Sequence, residues 1–230
     1  MCELDFELEK KTKTFLKNNV DKLSNVAPER IKMEILKIVN SKWNSSVWKT
    51  YLELQLLNEW NDNNFPYIEL ERKDISTKNP LFGSFLSKLI FLLSDEGLSR
   101  LTFSKDQIKR CKNLRFWVHK INKLDDLSED ERFQLHIDLE EDLPSFILFL
   151  KERDSSPWLK RWKDPHDPLF HPSAPFDGHL LQKAFGIPPG PFLGELIRYL
   201  SKEKAYGRIS TNKEAMEVAR KWTLENSPFL

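Results

Sequence analysis

The placement of glycine and proline constrains this 230-residue chain more than any other feature. The first of seven glycines is Gly83, so 82 residues pass without the residue on which phosphate-cradling loops and tight hairpins depend. The front third is therefore expected to be helical. Eight of the 13 prolines (Pro157, Pro165, Pro168, Pro172, Pro175, Pro188, Pro189 and Pro191) fall between 157 and 191. Their fixed φ and missing N–H interrupt long regular elements, which makes this segment the expected domain boundary.

Apolar spacing supports the helical reading. Leu8, Phe15 and Leu16, then Ile31, Ile35, Ile38 and Val39, recur at intervals that gather on one helix face. Pro28 suits the first turn of the second helix, where its missing N–H would have no intrahelical partner. Val47, Tyr51, Leu54, Leu57 and Trp60 predict a third helix, ended by the Asn/Asp-rich stretch 61–64 with Pro66 beyond. Capping patterns at Ser104/Gln107, Ser128/Glu131 and Thr211/Glu214 mark three further helix starts. Strand-like runs flanked by turn dipeptides are absent, so the expected class is all-α, an elongated multi-helix arrangement.

The 36 Lys+Arg and 35 Asp+Glu nearly cancel, but unevenly along the chain. From Lys10 to Lys49 there are ten basic and three acidic residues; from Lys105 to Lys123, seven and one; from Asp125 to Asp142, one and nine. The basic stretches raise the local potential for a polyanion such as RNA, and the acidic one is expected to face away from it. The longest apolar runs, Leu89 to Leu93 and Phe146 to Leu150, fall far short of the roughly 20 residues of a bilayer helix. The Met1 end has no apolar leader, and Cys2 and Cys111 form no disulfide framework. A reduced, cytoplasmic protein with no membrane partner is expected.

Catalytic chemistry is hard to place. Nucleotidyl transfer uses carboxylates that hold two metal ions over a phosphate, commonly as Asp-x-Asp after a Gly-Ser loop. No Asp-x-Asp occurs, and Gly83-Ser84 is followed only by the adjacent pair Asp95-Glu96. His166-Asp167, with His136, His171 or His179, has metal-ligand residue types, but it lies between Pro165 and Pro168 in a loop. No metal site and no catalytic residue is assigned. Aromatics interleave with basic residues at Arg115-Phe116-Trp117 and at Trp158 to Trp162, a pattern compatible with base stacking and equally with helix packing.

Two segments carry a resemblance. Leu23 to Leu36, with Glu29-Arg30-Ile31-Lys32-Met33-Glu34, resembles the Glu-Arg-Ile-x-x-Glu helix start in the neck of bacterial-type CCA-adding tRNA nucleotidyltransferases and their poly(A) polymerase relatives. Gly186-Ile187-Pro188-Pro189-Gly190-Pro191-Phe192-Leu193-Gly194, followed by Thr211 and Glu214-Ala215, resembles the Gly-x-x-Pro-Gly-Pro-x-x-Gly and Thr-x-x-Glu-Ala helices of the tail in that family. Cys2 to Phe6 resembles the stretch just after the family's nucleotide-templating arginine. One departure is Ala27, where the family often has a capping Ser; Asn25 or Ser24 is expected to substitute.

The resemblance implies neck-like helices over 1–62, body helices over 63–153, and a Pro-rich linker with tail helices over 154–230. It implies that Glu29, Arg30 and Glu34 brace the nucleotide pocket. Gly190, Phe192, Leu193, Gly194, Arg198, Lys202, Lys204 and Arg208 would contact RNA, the first four through amides at a helix N-terminus. It further implies tRNA as partner, with a catalytic head on another polypeptide or outside this sequence. Magnesium and CTP or ATP would be needed only with that head, so no cofactor is expected in this chain and no activity from it alone. A reading of a different class is a stand-alone helical adaptor that keeps the fold and binds protein through 125–142.

Overall fold

The computed structural model describes residues 8–40, 50, 53–61 and 84–226. Val47, Tyr51, Gly83, Pro66 and Cys2 to Phe6 lie outside the described residues. The described residues form helices and turns and no strand. Contacts divide the chain into two compact units, residues 1–120 with 144–150, and residues 121–143 with 151–230.

The first unit begins with α1 (Lys10–Lys17), a 3-10 turn over Val20–Asn25, and α2 (Pro28–Asn40). The period foreseen for α2 is present, with Ile31, Ile35 and Val39 buried along one face. In α1 the reading differs: Leu16 is half-buried, but Phe15 is 66% exposed. Ala27 stands at the start of α2, where its carbonyl accepts from Arg30 and Ile31. Ser24 does not substitute as the cap, because its hydroxyl donates to the Asp21 carbonyl at 2.6 Å.

The helix expected up to Trp60 stops earlier. Gln55 takes a left-handed φ of 55°, and the chain continues into a 3-10 turn at Asn58–Trp60. That turn buries Trp60 and presents its carbonyl to Ser94, whose amide donates to it at 2.8 Å.

Beyond it come α3 (Phe85–Leu92), α4 (Asp95–Arg100) and α5 (Lys105–His119). Ser84 and Ser94 cap α3 and α4, and the Ser104/Gln107 capping box fixes the start of α5. The core is filled by Leu89 and Ile90 of α3, Leu98 of α4, and Cys111, Leu114 and Trp117 of α5. Phe146 and Ile147, in the short helix α6 (Leu143–Ile147), are also buried. The buried Lys88 ammonium donates to the Val39 carbonyl at 2.8 Å, at the C-terminal end of α2, where a cation complements the helix dipole.

In the second unit α7 (Glu129–Leu139) precedes α6 in the chain and opens with the Ser128/Glu131 capping box. α8 (Glu152–Trp162) follows α6 and runs through Pro157 rather than ending there. The lost N–H costs one intrahelical bond, while Trp158 gains stacking on His136 and edge contact with Phe170. α9 (Gly178–Phe185), α10 (Pro191–Ala205) and α11 (Asn212–Asn226) then enclose a cluster of Leu181, Ile187, Leu193, Leu196, Leu200, Ile209, Ala215 and Ala219. The Pro-rich stretch therefore lies within a folded unit, with Pro157 inside α8, Pro191 at the first position of α10 and the others in the segments between helices.

Candidate nucleic-acid interface

α1 has the sequence KKTKTFLK and buries none of its residues. Lys10, Lys11 and Lys17 are exposed, and Lys13 makes an exposed ion pair with Glu53 at 3.4 Å. Phe15 lies one turn from Lys11, so a ring and an ammonium share this solvent face. Such a surface offers a polyanion unneutralised cations, with an aromatic ring suited to a base.

On α2, Glu29, Arg30 and Glu34 are all exposed, opposite the buried Ile31, Ile35 and Val39. Glu34 pairs with Lys37 at 2.8 Å within the same helix. Among the described residues no ion pair joins Glu29 or Arg30 to a second helix. Polar ties between α2 and the rest of its unit come instead from Lys88, bonded to the Val39 carbonyl, and from Lys32, which donates to the Thr102 carbonyl at 2.7 Å and sits 4.9 Å from the Phe103 ring centre.

The tail residues are distributed over two environments. Gly190 caps α10 with φ 157°, a value that favours glycine, and Gly194 is exposed with open space where a Cβ would be. The Gly194 amide is not free, because it donates to the Gly190 carbonyl at 3.2 Å. Leu193 points into the core, and Phe192 packs on Trp222 at 5.1 Å between ring centres.

The four tail cations each have a partner in the same unit. Lys202 donates to Asp130 at 2.8 Å, Arg198 to Gln134 at 2.7 Å, and Lys204 to the Ser173 hydroxyl at 2.9 Å. Arg208 bridges Glu203 at 2.8 Å and Glu129 at 3.0 Å. The bond from Lys202 holds the Asp130 carboxyl below its ordinary range, and bonds to Glu203 and Glu129 raise the Arg208 guanidinium. Within this unit the start of α7, part of the acidic stretch, thus engages Arg198, Lys202 and Arg208.

Of the His166-Asp167 pair, Asp167 has a structural use. Asp167 accepts from Arg161 at 2.7 and 3.0 Å and from the amides of Leu169 and Phe170, both at 3.1 Å. Burial opposes its ionisation, but Arg161 and these amides outweigh it and lower the pKa. His136 is buried between Trp158 and Phe170 and has an unpaired Nδ1. Burial, and then the nearby Arg161 charge, push its pKa down to about 3.

The site residues that the resemblance implies do not include the α1 lysines or Phe15. Their signal was the basic excess from Lys10 onward, visible as a charge count but without an exposed face until the helix is placed. No curated protein and no solved structure matches the chain. Residues 5–63, which contain α1, the 3-10 turn, α2 and Trp60, match the family model described as the probable RNA and SrmB-binding site of polymerase A, and that match supports an RNA-binding role for this stretch.

Proposed function

We propose that this chain binds tRNA and presents it to a nucleotidyltransferase head, in the manner of the non-catalytic part of a CCA- or A-adding enzyme. The observation that carries the reading is the coincidence of the matched stretch, residues 5–63, with a helix whose lysines are exposed and whose aromatic ring faces solvent. The Gly186 to Gly194 motif and the Thr211/Glu214 helix start extend the resemblance into the second unit. In this reading the transfer chemistry belongs to a head on another polypeptide or outside this sequence, since no Asp-x-Asp occurs in it.

Folded RNA is recognised by shape and phosphates, which suits a helical surface studded with Lys and Arg. The test is a competition titration in which labelled tRNA transcript is displaced by unlabelled tRNA or by an unstructured RNA of the same length. Stronger displacement by tRNA is expected. Equal displacement limits the reading to general RNA binding, and no binding of either rejects it.

A further inference from the structure

We propose that the exposed face of α5 is a second RNA-contacting surface, on which a single strand lays its phosphates along Lys105, Lys109 and Lys112 and one unpaired base on Phe116. This rests on the RNA-binding reading, but it concerns residues outside the matched stretch 5–63. At 100° per residue these four side chains fall within an arc of about 60°, and from Lys105 to Phe116 they extend over roughly 16 Å of helix.

Lys105, Lys109 and Lys112 are exposed, and no acidic side chain among the described residues pairs with them. The acidic residue of α5 itself, Asp106, is turned off the stripe toward Arg110, 3.9 Å away. Phe116 is 49% exposed although apolar, and the Lys120 ammonium lies 4.8 Å from its ring centre. An exposed ring at the end of a row of unneutralised cations fits a polyanion that also carries flat bases; an acidic peptide supplies only the charge.

The face is held rigid from behind. Cys111, Leu114, Trp117 and Val118 are buried on the opposite side of α5. Arg115, half-buried between the stripe and the core, bonds Asp95 and the Leu93 carbonyl. The Ser104/Gln107 box fixes the first turn. A surface that is already ordered loses little entropy when a ligand arrives.

The experiment uses the full chain and a labelled single-stranded oligoribonucleotide, titrated at several salt concentrations. The variants are the triple Lys105→Gln, Lys109→Gln, Lys112→Gln, the single Phe116→Ala, and a control triple Lys10→Gln, Lys11→Gln, Lys17→Gln. Melting curves confirm that each is folded, as expected for exposed positions with good helix formers. The α5 triple is expected to lower the slope of log affinity against log salt by about 2, at roughly 0.7 per phosphate contact on a single strand. Phe116→Ala is expected to weaken binding about fivefold or more with the slope unchanged.

Wild-type affinity and slope in the α5 triple, with loss in the α1 triple, overturn this surface and leave the RNA-binding reading intact. Loss of polyglutamate binding by the α5 triple, with RNA affinity unaltered, shows a protein-docking face and likewise overturns it. Absence of RNA binding by the wild-type chain overturns both.

Discussion

Gly97 and Trp60 meet backbone to backbone: a Cβ added to Gly97 would lie 1.9 Å from the Trp60 carbonyl oxygen. The same carbonyl accepts the Ser94 amide, and Arg100 on α4 donates to the Glu59 carbonyl at 3.0 Å. This contact seats the end of the described part of the matched stretch on α4. Gly97→Ala is expected to destabilise the chain by more than about 2 kcal/mol, because neither helix backbone nor turn backbone can yield without losing these bonds. A melting curve followed by tryptophan fluorescence measures it; a wild-type melting temperature contradicts the contact.

His136 gives the second unit a defined acid sensitivity. Its folded pKa of about 3 lies below the ordinary value of 6.5, so between these pH values the unfolded chain binds the extra proton. Its contribution is complete above pH 6.5 and is lost as pH falls toward 3, reaching on the order of 5 kcal/mol there. His136→Phe, which keeps a ring between Trp158 and Phe170, is expected to flatten the stability profile from pH 6.5 to pH 4. Melting temperatures across that range that fall as steeply as those of the wild type would show that His136 does not set it.

If the tail cations contact RNA as the resemblance implies, the α7 carboxylates compete with phosphate for them. Glu129→Gln with Asp130→Asn removes the α7 carboxylates that pair with Arg198, Lys202 and Arg208, while Arg208 keeps its pair with Glu203. These ion pairs are exposed, so stability should change by only about 1 kcal/mol, part of it from the lost charge at the α7 N-terminus. Affinity for tRNA is expected to rise, with a steeper salt dependence. An affinity that stays at the wild-type value assigns these three cations to holding α7 on α10 and removes them from the RNA surface.

Gly194 separates packing from access. Nothing lies within 4 Å of a Cβ built there, and the residue is inside α10, so Gly194→Ala is expected to stabilise the chain by about 0.5–1 kcal/mol. If an RNA strand approaches this backbone, the same variant binds RNA more weakly while melting higher. Unchanged RNA affinity in the stabilised variant shows that the glycine has no part in RNA access.

The helical class and the starts of α2, α5, α7 and α11 were legible because they depend on local chemistry: Pro28, and the Ser104, Ser128 and Thr211 caps. The end of the third predicted helix was not, because it is set by the left-handed Gln55 and by Trp60 docking on Gly97, a contact between residues 37 apart. Phe15 had the spacing of a core residue, yet it faces solvent. The tail cations were named from the sequence as RNA contacts, but the partners Glu129, Asp130 and Gln134, which engage Arg208, Lys202 and Arg198, stand more than 60 residues away, beyond the reach of any local pattern. Conversely, the α5 stripe was visible only as a charge excess; the capping box and the buried Cys111, Leu114 and Trp117 fix which lysines share its outer face.

The assignment of RNA to α1 is tested by the tRNA affinity of the wild-type chain and of Lys10→Gln, Lys11→Gln, Lys17→Gln over a series of salt concentrations. Wild-type binding is expected to weaken steeply with salt, and the variant slope to be shallower by about 2 to 3 at roughly 0.9 per contact on a duplex-like region. Binding that is absent, insensitive to salt, or identical in slope for a folded variant would contradict the assignment of RNA to the exposed face of α1.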